Sequence, residues 1–126
     1  MPTITATIIT KNEASKIEAC LKSLDWVDEI IVLDSGSSDN TVDICRKFTQ
    51  HVYETDWPGF GKQKNRAIEK ASSDWVLSID ADEIITSALK QEIQQAILSK
   101  NFTGFQIPRL SSYCGQFIRY SGWRPD

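Results

Sequence analysis

Apolar and polar positions fall in short blocks whose periods switch along the chain. Thr3 to Thr10 is rich in β-branched residues and reads as a strand. Lys11-Asn12-Glu13 breaks it, and Ser15 with Glu18 has the spacing of a capping box for a helix. Ile17, Cys20, Leu21 and Leu24 then recur at helical spacing. Glu29 to Asp34 has a continuous apolar centre, which suits a strand buried on both faces. Ser35 to Asn40 is dense in turn residues, and Val42, Cys45 and Phe48 mark the inward side of a second helix. His51 to Glu54 is a short strand, and Trp57 to Gly61 is a loop. A third helix is expected over Lys62 to Ala71, burying Ala67, Ile68 and Ala71. Asp74 to Ile79 is a further strand, ending at Asp80-Ala81-Asp82-Glu83. A fourth helix starts at Thr86 or Ser87, with Leu89, Ile93, Ala96 and Ile97 as its stripe. Phe102 to Leu110 reads as a last strand, and Ser111 to Asp126 has no clear period.

The order is therefore β-α-β-α-β-α-β-α-β. Such alternation predicts an α/β fold with a mainly parallel central sheet and helices on both faces. Ligands of such sheets bind beyond the carboxyl ends of the strands. Three polar clusters fall at strand ends: Lys11-Asn12-Glu13, Asp34-Ser35-Gly36 and Asp80-Ala81-Asp82. The fold gathers them at one edge.

Composition narrows the class. The 126 residues suit one domain, with 40% hydrophobic and 25% charged residues. The net charge is -3, and the basic residues are dispersed apart from Lys62, Lys64 and Arg66, so no nucleic-acid footprint is expected. Cys20, Cys45 and Cys114 are odd in number and contain no CxxC, which points to free thiols in a reducing cytosol rather than a zinc site. The first ten residues do not read as a signal peptide, and no apolar run reaches the ~20 residues of a membrane helix. A cytoplasmic location is expected, with peripheral contact at the inner face of the membrane left open.

Asp80-Ala81-Asp82 carries the sharpest chemistry. Residues i and i+2 of an extended segment face the same side. Both carboxylates can then hold one hard cation, Mg2+ or Mn2+, which takes oxygen ligands and bridges to substrate phosphates. A bare pair of this kind is common in solvated loops; its position after a strongly apolar strand is what favours a ligand site. Glu83 reads better as a cap of the following turn than as a third ligand. Asp34 suits a nucleoside contact and turn chemistry equally, whereas Asp39 suits a helix N-cap. Lys64, with Lys62 and Arg66 beside it near a helix start, could meet a diphosphate, or form a solvated charged face. Asn65 is a further polar position near that end. His51 is assigned no role. Trp57, Phe60, Tyr120 and Trp123 could stack on a sugar or fill a core, and none is singled out.

Three motifs in order resemble the family-two inverting glycosyltransferases of the GT-A fold, a Rossmann-like sandwich. They are Thr7 to Glu13, Ile31 to Thr41 and Asp74 to Glu83. Gly61 to Ala67 and Gly115 to Asp126 further resemble bacterial lipopolysaccharide core glycosyltransferases. The resemblance implies transfer of a hexose from a nucleoside-diphosphate sugar, UDP-linked above all, to a glycan or lipid-linked saccharide acceptor. It implies that Thr10, Asn12, Glu13, Asp34 and Asp80 bind the nucleotide sugar, and that Asp82, helped by Asp80, holds the metal; Lys64 joins the nucleotide-sugar residues on its place near the helix start. Many members carry a second acid after the position of Asp34, where Ser35 stands here. Residues 1–110 are expected to form the donor-binding domain and 111–126 the incomplete start of the acceptor side, with the general base beyond Asp126. The alternative is a non-catalytic nucleotide-binding module. A phosphatase or receiver domain fits poorly, since the first strand ends without an aspartate.

Overall fold

The computed structural model describes residues 3–73, 75–98, 104–105 and 116–119, the last two segments through their backbone. The chain forms β1 (Ile4–Thr10), α1 (Ile17–Lys22), β2 (Glu29–Asp34), α2 (Thr41–Arg46), β3 (Val52–Glu54), α3 (Phe60–Glu69), β4 (Trp75–Asp80), α4 (Ser87–Leu98), β5 (Gly104–Phe105) and β6 (Gln116–Arg119). One six-stranded sheet has the order β3-β2-β1-β4-β6-β5. β1, β2, β3 and β4 are parallel, as the alternating pattern predicts. β6 runs antiparallel to both β4 and β5. It falls in a stretch where the sequence shows no period, and it adds to the same sheet as the strands before residue 110. Cys114, Tyr120 and Trp123, and most of the strand expected over Phe102 to Leu110, lie outside the described residues, as do the side chains of Phe60, Ala96 and Ile97.

The sheet is covered on both faces. Ile4, Ala6 and Ile8 of β1 share a core with Val32, Leu77 and Ile79, and with Ile17, Cys20 and Leu21 of α1, Cys45 of α2, and Leu89 and Ile93 of α4. On the other face Ile68 of α3 and Ala71 just beyond it pack on Ile31 and Val76. β1 is buried on both faces, and its Thr5 is satisfied: Oγ1 lies 2.7 Å from Ser73 Oγ and 2.9 Å from Glu29 Oε1.

Helix starts depart from expectation at α2, where Asn40 rather than Asp39 is the N-cap, and at α1. The Ser15–Glu18 capping box does not form; α1 begins at Ile17 with Lys16 at its N-cap and no side-chain cap. The Glu13 carbonyl instead accepts both the Lys16 and Ile17 N–H groups. At α4 the expected start holds, and the Leu89 N–H donates to Thr86 Oγ1 at 3.1 Å.

Candidate functional site

The topology creates a gap at the carboxyl edge. The chain builds outward from β1 through β2 to β3, then crosses back over α3 to lay β4 on the other side of β1. The carboxyl ends of β1 and β4 therefore lie side by side where the strand order reverses, which is where open α/β sheets accept ligands. A cavity of about 400 Å3 opens there. β1 and its following loop supply Ile9, Thr10, Lys11 and Glu13; β4 and its turn supply Asp80, Ala81 and Asp82. Ser35, after β2, and Trp57, after β3, complete the wall. A larger depression of about 1080 Å3 lies at the opposite edge, around Asp28, Glu29 and His51. Two of its acids are engaged within the fold: Asp28 accepts from the Ile4 N–H, and Glu29 from the Ser72 N–H, with His51 3.7 Å away.

The acidic turn is rigidly built. Ala81 is buried in the core, so Asp80 and Asp82 on either side of it are left exposed at the cavity. Asp82 stands in the turn rather than in β4 itself. Glu83 closes this turn, accepting from the Asp80 N–H at 2.8 Å and donating its own N–H to the Asp80 carbonyl at 3.1 Å. That is the capping role expected of it. Beneath the turn, the Cys20 thiol donates to the Asp80 carbonyl at 3.7 Å. Burial first, then the charges of Glu83, Cys45, Asp82 and Asp80, push this thiol up to about 12. Cys20 is accordingly a neutral packing residue of the core.

Among the described residues no group of three or more His, Cys, Asp and Glu could hold a metal ion alone. Two exposed carboxylates still suit Mg2+ or Mn2+. Mg2+ in particular is commonly held by one or two protein carboxylates, with substrate phosphates and water filling its other positions. The Thr10 hydroxyl is a second opening for a ligand, since Oγ1 is buried and has no hydrogen-bond partner.

The other predicted residues are arranged differently. Asp34 is fully buried, and its carboxylate accepts from the Gly36 N–H at 3.1 Å, the Ser37 N–H at 2.8 Å and the Ser37 hydroxyl. It shapes its own turn, in which Gly36 has a φ of 96°. Asn12, also left-handed at φ 54°, is spent on the same loop: its side-chain oxygen accepts from the Ser38 N–H at 2.8 Å, and its N–H donates to Ser37 Oγ at 2.7 Å. Asp39 accepts from the Ala14 and Thr41 N–H groups, while Asn40 occupies the α2 N-cap. The structure thus brings Thr10, Glu13, Asp80 and Asp82 to one cavity. Asn12, Asp34 and the half-buried Lys64 of α3 are not on its wall.

Gln63 has no counterpart in the sequence reading. Its side chain is completely buried on α3. Nε2 donates to Ser35 Oγ at 3.1 Å and Thr55 Oγ1 at 2.6 Å, and Oε1 accepts from Arg66 at 3.4 Å. Arg66 also donates to Asp56 at 2.7 Å, and that bond and charge hold the Asp56 carboxyl below its ordinary value. The only advance signal was a glutamine at a core-facing position of an amphipathic helix.

Comparison with known proteins agrees with this fold. An uncharacterised glycosyltransferase of Rickettsia felis is 40% identical over 114 residues, covering 87% of this chain and 40% of that protein. The prophage-derived glycosyltransferase SunS of Bacillus subtilis is 38% identical, covering 90% of this chain and 29% of that protein. The chain thus spans well under half the length of these relatives. Among solved structures, glucosyl-3-phosphoglycerate synthase of Mycobacterium tuberculosis with Mg2+ and UDP is 28% identical, with a TM-score of 0.69, over 82% of this chain and 42% of that one. A mannosyltransferase of Pyrobaculum calidifontis in complex with GDP-Man and Mn2+ is 26% identical, with a TM-score of 0.68, over 82% of this chain and 34% of that one. Residues 5–124 match the model of glycosyl transferase family 2, and the chain belongs to that family.

Proposed function

We propose that this chain is the donor-binding part of a glycosyltransferase. It moves a hexose from a nucleoside-diphosphate sugar, a UDP-sugar first of all, to a glycan or lipopolysaccharide core acceptor, with inversion at the anomeric carbon. Residues 1–110 are the donor unit and 111–126 begin the acceptor side. The reaction belongs in the cytoplasm, at the inner face of the membrane where a lipid-linked acceptor is presented. One observation carries this reading: Asp80 and Asp82 stand exposed at the strand-switch cavity beside the orphaned Thr10 hydroxyl. Similarity to proteins crystallised with UDP and Mg2+, and with GDP-Man and Mn2+, supports it.

The residues divide the task. Asp82, with Asp80, would hold a divalent cation. When bound, Mg2+ or Mn2+ supplies the positive charge that stabilises the departing diphosphate. Glu83 keeps the Asp80 backbone from swinging, so the carboxylates meet the ligand preorganised. Thr10 offers its hydroxyl to the ligand. The acceptor hydroxyl attacks the anomeric carbon from the side opposite the diphosphate and gives its proton to a general base, while the bond from that carbon to the diphosphate breaks and the nucleoside diphosphate leaves.

Calorimetric titration with UDP, with and without Mn2+, tests the reading. Binding should require or be strongly enhanced by the cation, and Asp82→Ala should lose that enhancement. Metal-independent binding, or an Asp82→Ala variant that binds as the wild type does, would refute it.

A further inference from the structure

We infer that the Trp57 indole is the stacking platform for the donor's nucleobase, and that Gln63 is the positioning residue that holds it over the cavity. This rests on the donor-binding reading and adds a specific subsite to it.

Trp57 is 52% exposed, although large aromatic side chains ordinarily bury most of their surface, and it forms part of the cavity wall. Its distance from the acidic pair follows from the sheet. Asp80 ends β4, and Trp57 follows β3, three strands away through β1 and β2. At ~4.8 Å per strand, that is roughly 14 Å. Thr10 of β1 and Ser35 after β2 line the interval. A donor whose diphosphate sits at Asp80 and Asp82 therefore has one end reaching toward Trp57. The sugar end must stay open to a second substrate. Toward β3 the space is bounded by the loop that carries Trp57, so the unreacting nucleoside is the end that fits there.

The loop is preorganised for this. Thr55 is held by Gln63 Nε2 and by its own N–H donating to the Asp34 carbonyl at 2.7 Å. Asp56 is held by Arg66, and the Gly59 carbonyl accepts from the Gln63 N–H at 3.0 Å. Trp57 is thus pinned on both sides, and the same buried amide that fixes Thr55 fixes Ser35 on the cavity wall. A platform ordered before binding loses less entropy when the ligand arrives. Every base has a π-face, so Trp57 contributes affinity without choosing the base.

The test uses the whole 126-residue chain, titrated with UDP, GDP and UDP-glucose in Mn2+, and reads both heat and tryptophan fluorescence. Trp57→Ala should weaken UDP and GDP alike by roughly tenfold or more, the range seen when a stacking aromatic is removed. Trp57→Phe should retain most of the affinity but lose the fluorescence quench. Gln63→Met keeps the side-chain volume and removes the hydrogen bonds. It should weaken UDP and reduce the quench at saturation while the chain still melts cooperatively. Unchanged UDP affinity in Trp57→Ala overturns the platform, as does loss confined to UDP-glucose, which would put the indole against the sugar. A Gln63→Met variant that shifts only the melting temperature overturns the positioning role. If the wild type binds neither nucleotide, the donor-binding reading itself falls, and that outcome is distinct from normal wild-type binding with an indifferent Trp57→Ala.

Discussion

Asp34 and Asp80 each end a parallel strand, yet their carboxylates serve different ends. Asp34 faces inward and is used up by the Gly36 and Ser37 donors of its own turn. Asp80 is left exposed because the flanking core position is taken by Ala81. Alternation about a buried alanine is a local property, so the exposed pair was readable from spacing. The commitment of Asp34 depends on how the turn closes, and spacing alone left both of its roles open. Cys20 gives a sharper expectation at this scale. Its thiol is raised from 9.0 to about 12, and that of Cys45 to about 11, each by burial first. A raised native value means that the folded chain holds the proton more tightly. The thiols' contribution to stability is therefore full below pH 9.0 and is lost as pH rises toward 11 and 12. The urea midpoint should decline above pH 9 less steeply in Cys20→Ala than in the wild type. Peptide mapping after iodoacetamide treatment of the native chain at pH 8 should find Cys20 unmodified.

At the scale of elements, periodicity located the four helices and the four parallel strands, because each buries one stripe or two faces whatever its neighbours are. Caps were less legible. Ser15 and Glu18 have the spacing of a capping box, but the Glu13 carbonyl captures the first helical N–H groups and α1 starts later. Gly59 sets the entry to α3. Its φ is 117°, a conformation that side chains rarely adopt, although nothing lies within 4 Å of where a Cβ would stand. Gly59→Ala should therefore destabilise the chain by about 1 kcal/mol or more through backbone strain alone. Thermal melting would detect it, and an unchanged midpoint would show that the loop relaxes without cost.

At the scale of the whole molecule, β1 is the axis. It pairs with β2 on one side and β4 on the other, and Ile8 at its centre has no exposed surface. Ile8→Ala should cost about 2–5 kcal/mol by transfer and cavity terms together. That is a large share of the ~5–15 kcal/mol by which domains are stable. A denaturant titration that showed less than 1 kcal/mol would mean that the sheet repacks around the gap. Because β1 also carries Thr10 at its end, loss of its packing should weaken the cavity together with the fold.

Hydrophobic spacing, turn residues and the acidic tripeptide were enough to establish the α/β class, the parallel core strands and the edge at which the cavity opens. Each depends on residues within a turn or a strand of one another. The antiparallel β6, the retirement of Asp34 and Asn12 into loop hydrogen bonds, the Gln63 bridge to Ser35 and the stance of Trp57 were not legible in that way. They arise between segments tens of residues apart in several cases, and their geometry exists only once the sheet order has brought those segments together.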